Sequence, residues 1–347
     1  MQVRNCKSFY RSIGLTLAIC ILLPSSSRKF AAFADEPAYK YLRIGSERDI
    51  TTKTSIGYAL MGGGTDLDEA FRFLCDKGNG GDFLIVRAAG DDDYNPYVNS
   101  LCKTNSVATL IVASREAAAD PKVSEIIAHA EAVFIAGGDQ ARYINWWQNT
   151  AMQDALRAHV AAGKPIGGTS AGLAVLGEFI YSAQGDAPDD ADLTSAQALA
   201  NPYFDRVTVR RDFLQIDLLR NILTDTHFAK RNRMGRSLVF LARIVQDGWS
   251  DDPREIAVDE KSAVLVEGNG SARVVGPGKG AYFMQVRKKA LTCQKETPLS
   301  FHDISVYHAA ANGTFDLNRW SGSGGVAYSL SVDAGTVTST QAHGDVY

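Results

Sequence analysis

The chain has 347 residues, 45% of them hydrophobic and 22% charged, which is enough to bury one substantial core or a main domain with a smaller appendage. Its 31 glycines and 10 prolines are ordinary numbers and exclude collagen-like and wholly disordered chains. The formal charge is −3, and it becomes −8 if the five basic residues of the first 34 are removed with that segment. Such an acidic surface has no reason to grip nucleic acid nonspecifically.

Residues 1–34 have the build of a secretory signal peptide. Arg4, Lys7 and Arg11 supply a basic start, Ile13 to Leu23 is apolar, and Ala32-Phe33-Ala34 offers a small-x-small cleavage site. The apolar run is short for a bilayer span, so an uncleaved anchor is the lesser alternative. The expectation is export, secreted or periplasmic, with cleavage after Ala34. Cys75, Cys102 and Cys293 then remain. An odd count is no disulfide scaffold but allows one bridge in an oxidising compartment, and Cys75 and Cys102 are the pair nearest in sequence. No spacing suggests a metal site.

From about residue 55, short apolar runs alternate with longer amphipathic ones. Ile56 to Met61 ends in Gly62-Gly63-Gly64, and a helical stretch follows over Glu69 to Cys75. Phe83 to Ala89, Val107 to Ala113 and Val133 to Ala136 are further apolar runs, with a helix expected over Pro121 to Ala130. Another helix covers Ala151 to Ala162, and Pro165-Ile166 opens a fifth strand. Apolar strands separated by helices predict a parallel sheet covered on both faces, a doubly wound α/β fold with its site at the carboxyl ends of the strands. Gln184 to Leu193 is loop-like, Asn221 to Phe228 reads as a strand, and Lys230 to Gln246 as a helix. Ile256 to Val258, Ala263 to Glu267 and Ala272 to Val275 read as short strands. The expected division is a signal peptide over 1–34, an α/β domain over 35–290, and a small β-rich extension over 291–347.

Gly168-Thr169-Ser170-Ala171-Gly172 fits Gly-x-Ser-x-Gly between a strand and a helix, the setting that holds a serine at the tip of a sharp turn. The alternative is a packing turn whose serine caps a helix. A serine nucleophile needs a base. Of the six histidines, His227 follows the apolar run Ile222-Leu223 at a strand end and is the best placed. The orienting acid is open among Asp186, Asp189, Asp190 and Asp192 in the loop between serine and histidine, and Asp186 is nominated. Asp225 shares the histidine's face of the strand without lying across from it. Gly137 and Gly138 end the fourth strand, where backbone N–H groups can approach an oxyanion, and Gln140 can bond a substrate amide. Lys230, Arg231, Arg233 and Arg236 form a basic cluster beside His227. It is either a solvated helix face or a carboxylate clamp.

Together these residues resemble the cyanophycinase-like and aspartyl dipeptidase (peptidase E-like) family of serine peptidases. The matching segments are Gly-Gly-Asp-Gln at 137–140, Gly-Gly-Thr-Ser-Ala-Gly at 167–172, and Asp225-Thr226-His227-Phe228 followed by the three arginines; Ile256 to Glu260 looks like another family segment. The resemblance implies a fold like the class I glutamine amidotransferases, with Ser170 as nucleophile and His227 as base. It places Gln140, Asp225, Thr226, Arg231, Arg233 and Arg236 on the substrate, and the N–H groups of Gly138 and Ala171 on the oxyanion. It also implies hydrolysis at aspartate without metal or organic cofactor. The substrate would be cyanophycin, a poly-aspartate backbone bearing arginines on its β-carboxyls, cut to β-aspartyl-arginine. Thr226 departs from the glutamine of the family pattern, which leaves a secreted aspartyl or isoaspartyl dipeptidase as the alternative. A noncatalytic binding protein on the same scaffold is a further alternative, and a homodimer is left open.

Overall fold

The computed structural model describes residues 38–185 and 192–347. The expected leader, its cleavage point, and Asp186, Asp189 and Asp190 lie outside the described residues.

Five parallel strands form the centre of the first sheet, in the order Ser106–Ile111, Asp82–Arg87, Ala132–Ile135, Ile166–Thr169, Gly57–Met61. All residues of Gly57–Met61, Ser106–Ile111 and Ala132–Ile135 are buried, so these strands read as mostly apolar runs rather than as alternation. Lys40–Gly45 adds an antiparallel edge strand. It is largely exposed and carries no apolar pattern, which is why the sequence reading passes over it. Beyond Gly57–Met61 the sheet continues antiparallel through Ala263–Glu267, Ser271–Val275, Thr314–Asp316 and Ser321–Ser323.

A second sheet holds Ile222–Asp225 and Arg254–Val258 side by side and parallel. Phe179–Tyr181 and Val209–Arg211 lie on one flank, and Ala281–Gln285, Phe301–Ala309, Val326–Asp333 and Thr336–Ser339 on the other. The five apolar runs that predict the parallel sheet all lie in the first sheet, and the later runs Ile222–Asp225 and Arg254–Val258 belong to the second. The chain after residue 291 adds strands to both sheets, and the Phe315 ring stacks on Phe283 at 3.8 Å. This β-rich tail is packed into the rest of the molecule. Its polar, Gly-rich sequence conceals short strands whose burial comes from partners elsewhere in the chain.

Several helices start where short polar side chains cap them. Asp120 accepts from the Lys122 N–H ahead of Pro121–His129, and Asp139 accepts from the Ala141 N–H ahead of Gln140–Trp147. Thr194 and Gln197 form a capping box on Ser195–Ala200. The helix Tyr94–Leu101, which the sequence reading omits, is tied in by buried Asn95, whose amide donates to the Leu42 carbonyl at 2.9 Å and accepts from the Thr109 hydroxyl at 2.7 Å. Cys75 and Cys102 are bridged, with Cα atoms 6.1 Å apart, joining this helix end to the helix Asp68–Lys77; Cys293 is free and buried.

This arrangement brings several carboxyl-terminal strand ends together. Gly62 to Gly64 follow Gly57–Met61, Gly137 and Gly138 follow Ala132–Ile135, and Ser170 follows Ile166–Thr169. From the second sheet, His227 follows Ile222–Asp225 and Glu260 follows Arg254–Val258.

Candidate active site

Ser170 stands between the strand Ile166–Thr169 and the short helix Ala171–Ala174, with φ 52° and ψ −119°, a conformation that costs an L-residue free energy. The turn is possible because its surroundings are glycine. A Cβ on Gly172 would lie 1.9 Å from the Ile135 carbonyl oxygen, so the helix start could not pack against the neighbouring strand with any larger residue. The Ser170 N–H donates to the Met61 carbonyl at 3.2 Å, which anchors the tip.

The Ser170 hydroxyl lies 2.8 Å from Nε2 of His227. The other ring nitrogen, Nδ1, lies 2.7 Å from Oε1 of Glu260. The histidine backbone is held as well, at φ 46°, by its N–H donating to the Gly62 carbonyl at 2.8 Å. The ring lies on Gly63, where a Cβ would come within 2.5 Å of Cε1. Any side chain there would displace the base.

Burial lowers the His227 pKa from its ordinary 6.5, with Arg231 and Arg233 adding to that direction, against the opposing hydrogen bond to Glu260. The ring is therefore neutral near pH 7 and can accept a proton. The hydrogen bond from His227 holds the Glu260 carboxyl below its usual range, aided by Arg231 and Lys230, so Glu260 is a carboxylate. With Glu260 accepting from Nδ1–H, the free lone pair faces the serine.

The acid is the main correction to the sequence reading. Nominated Asp186 lies outside the described residues, and the histidine's second nitrogen is taken by Glu260. Asp192, another loop alternative, is engaged with arginines instead: it accepts from Arg236 Nη1 at 2.9 Å and bonds Arg233 Nη2. Glu260 was legible only as part of the segment Ile256 to Glu260. The signal that could have marked it is an acid just past a second parallel strand end, but strand adjacency is a tertiary fact.

Ser170 and His227 open into a cavity of about 670 Å³, lined also by Gly138, Gln140, Thr226, Arg231 and Arg233. Asp225 and Arg236 do not line it, contrary to the clamp expected from the sequence. Arg236 is 1% exposed and forks onto Asp225, Nε to Oδ2 at 2.9 Å and Nη2 to Oδ1 at 2.5 Å. The pair lies beneath the cavity floor because helix Met234–Gln246 turns that position inward while Arg231 and Arg233 precede its first turn. Arg233 Nη1 donates to the Thr226 carbonyl at 2.8 Å and to its hydroxyl at 3.2 Å, so the threonine hydroxyl is used within the wall. Arg231 is half exposed.

Two arginines that the sequence reading omitted join the lining, Arg142 and Arg206. Arg206 is 9% exposed and makes no salt bridge among the described residues. A lone arginine in an irregular segment carries no sequence signal of such burial. The Gly138 and Ala171 N–H groups have no hydrogen-bond partner among the described residues, leaving both able to donate to a ligand. Among the described residues, no group of His, Cys, Asp and Glu is placed to hold a metal ion.

A serine, a neutral histidine and a carboxylate in hydrogen-bonded series, at the strand ends of an α/β scaffold, define a serine hydrolase. Comparison with known proteins narrows the class. Residues 60–272 match the model of peptidase family S51, and the chain belongs to that family of serine-type peptidases. It is 30% identical over 172 residues to a cyanophycinase of Synechococcus elongatus, covering 49% of this chain and 46% of that protein. It is 27% identical over 220 residues to a cyanophycinase of Nostoc sp., covering 61% and 65% respectively. The chain thus spans about half to two thirds of the length of these relatives. A peptidase from an acI-B1 Actinobacterium aligns over 67% of this chain and 95% of its own, at 19% identity and TM-score 0.47.

Proposed function

We propose that this chain is an exported serine peptidase that hydrolyses cyanophycin to β-aspartyl-arginine dipeptides. The observation that carries the reading is the Ser170–His227–Glu260 series opening into a cavity walled by Arg142, Arg206, Arg231 and Arg233. Guanidinium groups bind carboxylates in forked pairs, and the carboxylates this polymer leaves free along its length, those of its attached arginines, suit such a wall. The names of the relatives point the same way. The Cys75–Cys102 bridge supports export, because such bonds persist in oxidising compartments.

In this mechanism His227 Nε2 takes the Ser170 proton as Oγ attacks the scissile carbonyl carbon. Glu260 stabilises the resulting imidazolium without taking its proton. The N–H groups of Gly138 and Ala171 hold the oxyanion. As the intermediate collapses, the C–N bond breaks and the amine leaves with the proton from Nε2. Water then attacks the ester, giving its proton to His227, and Ser170 departs with that proton to free the aspartyl product.

A small aspartyl or isoaspartyl peptide is the second reading of the substrate. It is favoured by one feature: Thr226, in the cavity wall, stands where the family pattern has glutamine. A noncatalytic binding protein would leave the serine without a histidine in reach, and the 2.8 Å contact is against it.

The test is incubation of the purified protein with cyanophycin granules, with Ser170→Ala alongside, and mass analysis of soluble products. Release of β-aspartyl-arginine by the wild type alone supports the proposal. Labelling of Ser170 by a serine-reactive probe without release transfers the activity to small aspartyl peptides.

A further inference from the structure

The helix Gln140–Trp147 carries a buried tyrosine that reaches back to the backbone beside the nucleophile. The Tyr143 hydroxyl lies 2.9 Å from the Ala136 carbonyl oxygen and 3.1 Å from that of Gly137. Side chains on a helix tilt toward its N-terminus, which is how a residue in the first turn meets carbonyls that precede the helix. Tyr143 is fully buried, and its ring stacks on Trp147 at 4.2 Å and 12°. The Trp147 indole N–H donates to the Val112 carbonyl at 3.0 Å, so the stack is itself tethered to the sheet. Burial raises the Tyr143 pKa, and the group remains a neutral hydroxyl whose one proton is shared between the Ala136 and Gly137 carbonyls.

The Gly137 carbonyl and the Gly138 N–H belong to one peptide plane. In a trans peptide the two point in opposite directions, so a donor fixing the carbonyl from below turns the N–H to the other side. Gly138 lines the cavity together with Ser170, and a Cβ on Gly137 would lie 3.5 Å from the Ser170 Cβ. Gly138 has φ 155° and no side chain to hold its plane, and a Cβ there would lie 3.0 Å from the tyrosine oxygen. Two glycines in a row leave this peptide free to rotate unless something holds it. Among the described residues, the Tyr143 hydroxyl is the only side-chain donor to it.

We propose that Tyr143 is a positioning residue: by holding the Gly137 carbonyl it aims the Gly138 N–H at the oxyanion formed on attack by Ser170. The inference rests on the oxyanion role proposed above for Gly138. Tyr143 touches no substrate. It acts by preorganising a dipole, so its loss weakens binding of the tetrahedral species while leaving ground-state binding alone.

The test compares Tyr143→Phe with Trp147→Phe, which loosens the same stack and keeps the hydroxyl. A peptide boronate that forms a tetrahedral serine adduct serves as the probe, read by kinetics and by the Gly138 amide signal of 15N-glycine-labelled protein. The expected result is a fall in kcat of about tenfold or more in Tyr143→Phe with KM within about twofold, boronate affinity falling in proportion. The Gly138 amide shift on adduct formation should be large in wild type and in Trp147→Phe, and reduced in Tyr143→Phe. Full kcat in Tyr143→Phe, or an equal loss in Trp147→Phe, overturns the positioning role. Absence of any Gly138 shift in the wild-type adduct overturns the oxyanion reading itself, and this inference with it.

Discussion

His227 and Glu260 come from the ends of two adjacent parallel strands, 33 residues apart in the chain, and meet at 2.7 Å through Nδ1 and Oε1. The register explains the meeting. Ala257 pairs with Asp225, so each strand delivers the residues just beyond its end to the same edge of the sheet.

Glu260→Gln keeps the shape of the acid and removes its charge. The neutral amide cannot stabilise an imidazolium and can favour the wrong ring tautomer, so kcat should fall by about 10³–10⁴-fold. Asp192→Asn leaves the His227 contact intact and should fall far less. Steady-state kinetics on a chromogenic aspartyl amide separates them, and the reverse ranking would remove Glu260 from the triad.

The pH profile should carry the mark of burial. His227 acts in its neutral form, and its pKa is lowered from 6.5 by burial first and by the neighbouring arginines. The acid limb of kcat/KM is therefore expected below pH 6.5. A limb above that value would show that the hydrogen bond to Glu260 outweighs desolvation.

Arg231 and Arg236 should separate cleanly on substitution. Arg236→Met leaves Asp225 charged and buried without its fork, and removing one partner of such a pair costs about 3–5 kcal/mol. Arg231→Met removes a half-exposed charge, so it should cost under about 1 kcal/mol of stability and act on KM. Denaturant unfolding with parallel kinetics checks both. Equal stability losses would contradict the placement of Arg236 beneath the floor.

Glu255 offers a second titration. Burial first and then Asp225 raise its pKa well above the ordinary 4.5, and its Oε2 has no hydrogen-bond partner among the described residues. The folded protein keeps a proton that the unfolded chain releases above pH 4.5. Its contribution is complete below that pH and is lost as pH rises toward the folded pKa. Glu255→Gln keeps the contact with Ser237 and should flatten this decline. An unchanged slope in urea unfolding from pH 5 to 8 would assign the decline to other groups.

Local chemistry in the chain determined much of this protein. Short, mostly apolar runs such as Val107 to Ile111 and Ala132–Ile135, bounded by turn residues and alternating with helices, marked the strands of a covered parallel sheet. Gly168 to Gly172 announced the turn at Ser170 because glycine is needed within a few residues of the serine itself. His227 was legible for a similar reason, as a polar residue closing an apolar run. The tertiary structure decided what depends on neighbours distant in sequence. It divided the strands between two sheets, placed Glu260 on His227 through strand register, and turned Arg236 inward onto Asp225 while Arg231 and Arg233 faced the cavity. It also drew in Arg206 from an irregular segment and tied the polar tail to both sheets. A residue's type limits the chemistry it can perform, but burial and partner are properties of the packed chain, and no local pattern records them.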